Sequence, residues 1–171
     1  MRRLNPAAIH PPFANYAHGV EIEPGQRLVF CAGQLGIGRD GTIPEGVEEQ
    51  TRLCFRAIEA ILGEAGMTLA DLVRINAYVS SAEHLSGYMK ARDEFVAAPP
   101  PASTLLVVRG FARPEFKVEI EAVAACPQRF TGMSVAAKAQ KRTHSAAWRC
   151  KKDRMTPLLG RQKIEPNPTQ D

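Results

Sequence analysis

Apolar positions recur along the chain with two periods, every second residue in some stretches and every third or fourth in others, and Gly and Pro mark most of the changes. Residues Tyr16 to Ile22 and Arg27 to Ala32 read as strands. Glu23, Pro24, Gly25 and Gln26 between them supply a Pro-Gly turn, which predicts a hairpin. From Val47 to Ala65 the apolar set Val47, Cys54, Ile58, Ile61, Leu62 and Ala65 falls on one helical face. Glu48 and Glu49 complement the N-terminal end of that helix dipole, and Gly66 suits the left-handed position after its end.

Val73 to Val79 alternates, with Arg74, Asn76 and Tyr78 opposite the apolar set, so one face of this strand is buried. Ser80 and Glu83 predict a capping box for a second helix, with an inner face of Leu85, Tyr88, Met89, Arg92, Phe95 and Val96. Pro99, Pro100 and Pro101 end it. Thr104 to Arg109 is apolar on both faces and predicts a central strand. Phe116 to Ala125 turns Val118, Ile120, Ala122 and Ala124 one way and Lys117, Glu119, Glu121 and Val123 the other. The order β-β-α-β-α-β-β predicts an α+β domain with two helices on one face of a sheet. The other face mixes Glu119 and Glu121 with Leu105 and Val107, so it is either solvated or covered by another subunit.

Gly36, Gly38 and Gly41 match the spacing of a dinucleotide fingerprint, but Pro44 and Gly46 prevent a helix from starting behind them, so Asp40-Gly41 reads as a turn. Cys31, Cys54, Cys126 and Cys150 form no C-x-x-C pair and read as reduced thiols, and His10, His18 and His84 have no metal-binding spacing. Neither a metal nor a cofactor is expected. No apolar run approaches the ~20 residues of a bilayer span, and Asn5, Pro6, Pro11 and Pro12 interrupt any signal peptide, which predicts a cytoplasmic protein without membrane contact.

The chain has 171 residues and a net charge of +4 that is unevenly distributed. Residues 1–126 carry 12 Lys+Arg against 15 Asp+Glu, net −3, and residues 127–171 carry 10 against 3, net +7. The division predicts a folded domain over 1–126 and a basic, poorly ordered extension over 127–171. Lys138 to Arg142 and Arg149 to Lys152, with Trp148, read as solvated charge, the alternative being nucleic-acid or partner contacts.

A set of segments then carries a family resemblance over about residues 4–126: Asn5-Pro6, Tyr16, Phe30 to Gln34, Asp40-Gly41, Gln50, Ile61 to Gly66, Asp71 to Val73, Phe95, Pro101-Ala102 and Lys117 to Ala124. In order and spacing the chain resembles the Rid family (YjgF/YER057c-like), often described as reactive-intermediate or enamine/imine deaminases. The resemblance implies a chorismate-mutase-like fold assembled as a homotrimeric barrel, with a small-molecule ligand bound in clefts between neighbouring chains. It further implies that Tyr16, backbone at Gly33 and Gln34, the strand holding Ser103 and Leu105, and Glu119 line the cleft, with Glu119 as the catalytic carboxylate.

Where deaminating members of that family carry a carboxylate-binding arginine directly after Pro-Ala, this chain has Ser103. A hydroxyl reproduces neither the charge nor the bidentate geometry of guanidinium, and its loss should weaken imino-acid binding by more than about tenfold. Arg109 lies six residues along, roughly 20 Å away at about 3.3 Å per residue, and does not substitute. An arginine of another chain, such as Arg92 or Arg113, stays open as a source of charge. Cys31 stands at a usual serine, Leu105 at a cysteine of the best-known members, and the loop Gly110 to Glu115 is one residue longer.

These departures indicate a Rid subgroup with a ligand other than a simple 2-imino acid. Two readings stay open: a metal-free hydrolase or imine deaminase in which Glu119 activates water, and a non-catalytic metabolite-binding or regulatory trimer. RNA cleavage, an activity sometimes attributed to the family, is disfavoured by the net −3 of residues 1–126, which carry no basic stripe with interleaved aromatics.

Overall fold

The computed structural model describes residues 1–128. In chain order the elements are β1 (Arg2–Leu4), β2 (Gly19–Glu21), β3 (Gln26–Leu35), α1 (Val47–Glu64), β4 (Leu72–Val79), α2 (Leu85–Arg92), β5 (Ala102–Val107) and β6 (Val118–Pro127). Strands β3, β6, β4 and β5 form one sheet in that order, with β4 and β5 parallel and the other pairs antiparallel. The result is a mixed α+β fold with two helices on a mixed sheet. Among the described residues, no helix is long and apolar enough to cross a membrane.

The core lies between the helices and one face of this sheet. Cys54, Phe55, Ile58 and Leu62 of α1 meet Ile75, Ala77 and Val79 of β4 and Val118, Ile120, Ala122 and Ala124 of β6, all buried. Alternation in β4 and β6 therefore reports which face is covered, as the sequence predicts. Helix α1 ends in a Schellman motif: the Met67 amide donates to the Leu62 carbonyl at 2.9 Å and the Gly66 amide to Gly63 at 2.9 Å, with Gly66 at φ +66°. Arg27 of β3 also donates to the Ala65 carbonyl, at 2.8 Å.

Four local expectations are corrected. The hairpin across Pro24 and Gly25 does not form, because β2 pairs with β1 (Leu4 with Gly19, Arg2 with Glu21) while β3 pairs with β6. Glu21 is held there by an Arg2 ion pair at 2.6 Å, so the turn carries the chain from one sheet to the other. The expected capping box at Ser80 is replaced by Ser81, whose hydroxyl accepts from the Glu83 amide at the start of a short 3-10 turn, Ala82–His84. Helix α2 stops at Arg92, and Phe95 and Val96 pack from the turn after it. Strand β5 is an edge strand rather than a central one, with β4 as its one neighbouring strand among the described residues, and Leu106 and Val107 are half exposed.

The turn at Asp40-Gly41 is present: Asp40 accepts from the Thr42 amide at 3.0 Å, the Gly38 amide donates to Thr42, and Gly41 has φ +85°. At the other end of the domain β6 continues to Pro127, and Cys126 and Pro127 still pair with Arg27 and Gln26. The basic extension, with Lys138 to Arg142, Trp148 and Arg149 to Lys152, lies outside the described residues apart from its first two positions.

Candidate functional site

The sequence-predicted site residues fall into two groups. Ser103 and Leu105 of β5 pair with Ile75 and Ala77 of β4, which are fully buried beneath the helices, so their side chains share the helix-covered face. Tyr16 is brought beside them because the Ala17 amide donates to the Pro101 carbonyl at 2.9 Å and Ala17 bridges Ala102. Together with Leu85, Met89 and Arg92 of α2 they line a cavity of about 410 Å³. Phe13 meets Tyr16 edge-on at 5.7 Å and closes one side of it.

Glu119 and Gly33 form the second group, on the opposite face of the sheet. Glu119 pairs with Tyr78 of β4 and Leu35 of β3, outward from the helices. The β3–β6 register slips between Cys31 and Gln34, a bulge that inserts one residue and bends the strand. Gly33 sits in this bulge with its Cα against the Glu119 carboxylate. Gln34 is next along the strand, its side chain turned onto the Ala32 carbonyl at 3.0 Å and its own carbonyl accepting from the Cys54 thiol at 3.1 Å.

Polar groups on this open face are unevenly engaged. Glu121 accepts from Asn76 at 3.4 Å and from the Tyr78 hydroxyl at 3.3 Å, while Arg74 donates to Asn76 at 2.7 Å and to Thr104 at 2.5 Å. Desolvation and then the Glu121 carboxylate hold the Tyr78 phenol above its ordinary range. Glu119 has no hydrogen-bonding side-chain partner among the described residues. Beside these groups Leu28 and Phe30 stand exposed, Phe30 at 73%.

Cys31, which stands at a usual serine of the family, pairs with buried Ala122 and belongs to the core, where burial raises its thiol pKa. Arg92 was open only as a residue of another chain; it lines the cavity of its own chain. The helical stripe Leu85, Met89, Arg92 was the available signal, since an arginine on an inner face needs a polar purpose. A second cavity, of about 330 Å³, lies near Arg3, whose guanidinium is engaged by the Leu72, Pro99 and Pro100 carbonyls. It contains none of the expected site residues.

Comparison with known proteins agrees with this architecture. The chain is 31% identical over 125 residues to the RutC family protein YjgH of Escherichia coli, covering 72% of this chain and 93% of that one. It is 30% identical over 124 residues to TdcF of the same organism, whose name marks it as a candidate reactive intermediate deaminase, covering 70% and 89%. The crystal structure of YyfB from Yersinia pestis, described as a protein of unknown function of the conserved Rid family, superimposes with a TM-score of 0.65 at 30% identity over 73% of this chain and 98% of that one. The family described as Endoribonuclease L-PSP matches residues 7–126, and with these relatives it shows that the chain belongs to the Ribonuc_L-PSP family, that of the Rid and YjgF proteins.

Proposed function

We propose that the protein binds a small molecule in the cavity between α2 and β5 as a homotrimer, and that a neighbouring copy contributes Glu119 to hydrolyse a C=N bond there. One observation carries this reading: Ser103, Leu105 and Tyr16 lie on one face of the sheet and Glu119 with Gly33 on the other. A site that uses both groups needs two chains. Edge strand β5 leaves the cavity beside an open flank, and exposed Phe30, Leu28 and Leu106 give a cyclic assembly apolar surface to bury.

In such a cleft Glu119, without a hydrogen-bonding side-chain partner among the described residues, orients or deprotonates a water for attack on the C=N carbon, and Tyr16 and main-chain groups near Gly33 and Gln34 hold the substrate. Ser103 removes the strand-borne anion anchor of deaminating relatives, placing this chain in a subgroup whose ligand is not a simple 2-imino acid. The apolar lining of Leu85, Met89 and Leu105 favours a larger apolar body. Ribonuclease action is not proposed, because residues 1–126 carry net −3.

A second reading, binding without catalysis, is favoured by one fact: the cavity's own lining contains no carboxylate. Light scattering and an imine-hydrolysis screen on the full chain separate the two. About three times 18.7 kDa, with turnover that falls to background in Glu119→Gln, supports the hydrolase. A trimer that binds ligand and turns over no imine supports the binding protein. A stable monomer at micromolar concentration overturns the trimer and, with it, the contribution of Glu119 from a neighbouring copy.

A further inference from the structure

We propose that Arg92 supplies the anion-binding group of the α2–β5 cavity, and that the ligand is a monocarboxylate with an apolar body. The proposal rests on that cavity being the ligand site. Arg92 has a side chain only 5% exposed, yet it forms part of the cavity wall. A guanidinium carries five N–H donors, and a buried one normally spends them on protein acceptors. Among the described residues its hydrogen-bonding partner is Oδ1 of Asp93, 2.9 Å from Nε and 2.8 Å from the terminal Nη2. Among the same residues Nη1 has no acceptor, which leaves its donors available.

The group is also held before any ligand arrives. Its carbon lies 5.9 Å from the centre of the buried Tyr88 ring, a cation–π contact. Oδ1 of Asp93 accepts in addition from Asn15 at 3.2 Å, and Asn15 donates to the Val96 carbonyl at 3.0 Å, which ties the ion pair to the segment leading into Tyr16. Little ordering then remains for binding to cost. Asp93 is itself about half exposed, so water screens its neutralising charge, whereas the guanidinium is desolvated. A desolvated guanidinium with spare donors suits a carboxylate, through charge-assisted hydrogen bonds. Leu85, Met89 and Leu105 form the rest of the wall and suit an apolar body.

The charge thus comes from α2 and not from the residue after Ala102, where the strand-borne arginine of relatives would stand. Benzoate and its neutral isostere benzamide are suitable probes, titrated into the full chain while the backbone amide resonances of Ser103 and Leu105 are followed by NMR. Benzoate is expected to bind about tenfold or more tightly than benzamide and to shift those amides. Arg92→Met should remove the preference, weakening benzoate about tenfold or more and the neutral acceptor benzamide far less. Asp93→Asn, which keeps an acceptor oxygen and deletes the competing charge, should raise benzoate affinity; this arm decides the matter if Arg92→Met does not fold. Equal affinity for the two probes, or benzoate binding indifferent to both substitutions, overturns the role of Arg92 while leaving the cavity as a ligand site. No response of the cavity amides to either probe overturns the cavity reading, and the proposal with it.

Discussion

The Glu119 carboxylate lies so close to the Cα of Gly33 that a Cβ at position 33 would occupy its place. What stands in the way is the far end of a flexible side chain, and Gly33 does not use the left-handed backbone region. Gly33→Ala should therefore displace the carboxylate without unfolding the sheet. The melting temperature is expected to stay within a few degrees, while any Glu119-dependent hydrolysis falls to the level of Glu119→Ala. A steep drop in melting temperature with hydrolysis retained would refute the displacement.

Gln50 is fully buried on α1 and joins three loop groups: it donates to the Pro44 carbonyl at 2.7 Å and the Glu115 carbonyl at 2.8 Å, and accepts from the Lys117 amide at 2.8 Å. Gln50→Leu keeps most of the volume and strands all three. With buried unpaired groups costing about 1–3 kcal/mol each and some rescued by water, a loss of about 2–4 kcal/mol is expected in urea unfolding. A change below ~1 kcal/mol would mean that water replaces the side chain.

Much of this was legible in the sequence because periodicity reports burial directly. Alternation in Val73 to Val79 and Val118 to Ala124 assigned the covered face, and the helix Val47–Glu64 emerged with its acidic start and Gly66 exit. Partner choice was not legible: the Pro24-Gly25 turn looks the same whether it closes a hairpin or switches sheets, and Arg2–Leu4 is too short to announce itself as the competing strand. Strand β5 misled because an apolar strand reads as central whether its own chain or another copy covers it. The side-chain groups of the candidate site come one by one from the resemblance. Their division between two faces depends on pairing register, which a single sequence does not display.

Cys54 is buried against the Gln34 carbonyl, and desolvation pushes its thiol up to about 12. A folded-state value above the unfolded one, near 9, means that the neutral thiol's contribution is complete below pH 9 and is lost as pH rises towards 12. Urea midpoints should fall more steeply between pH 9 and 11 for the wild type than for Cys54→Ala. Parallel pH profiles would show that Cys54 ionises without unfolding.

We propose that residues 1–128 fold independently of residues 129–171, because β6 completes the sheet at Pro127 and the family match ends at residue 126. A chain ending at Gln128 should keep the full-length melting temperature within a few degrees. A chain ending at Ala125 should melt lower, since it loses the pairing of Cys126 and Pro127 with Arg27 and Gln26.

Ser103 offers the sharpest test of the site, since its side chain shares the helix-covered face with Leu105 and lies in the same cavity as Tyr16. The wild type is expected to accelerate 2-iminopropanoate hydrolysis little: this small imino acid finds no cation on β5 and leaves the apolar wall unfilled. Ser103→Arg restores a guanidinium on the strand without touching Glu119. Its cost is proximity to Arg92, a repulsion that Asp93 reduces. A gain of about tenfold in kcat/KM is expected, and it should vanish when Glu119→Ala is combined with Ser103→Arg, because the anchor positions a substrate that only the carboxylate can hydrate. If the folded variant gains nothing, the cavity geometry set by Leu105 and Arg92 already excludes the imino-acid pose, and binding without catalysis becomes the better account of this chain.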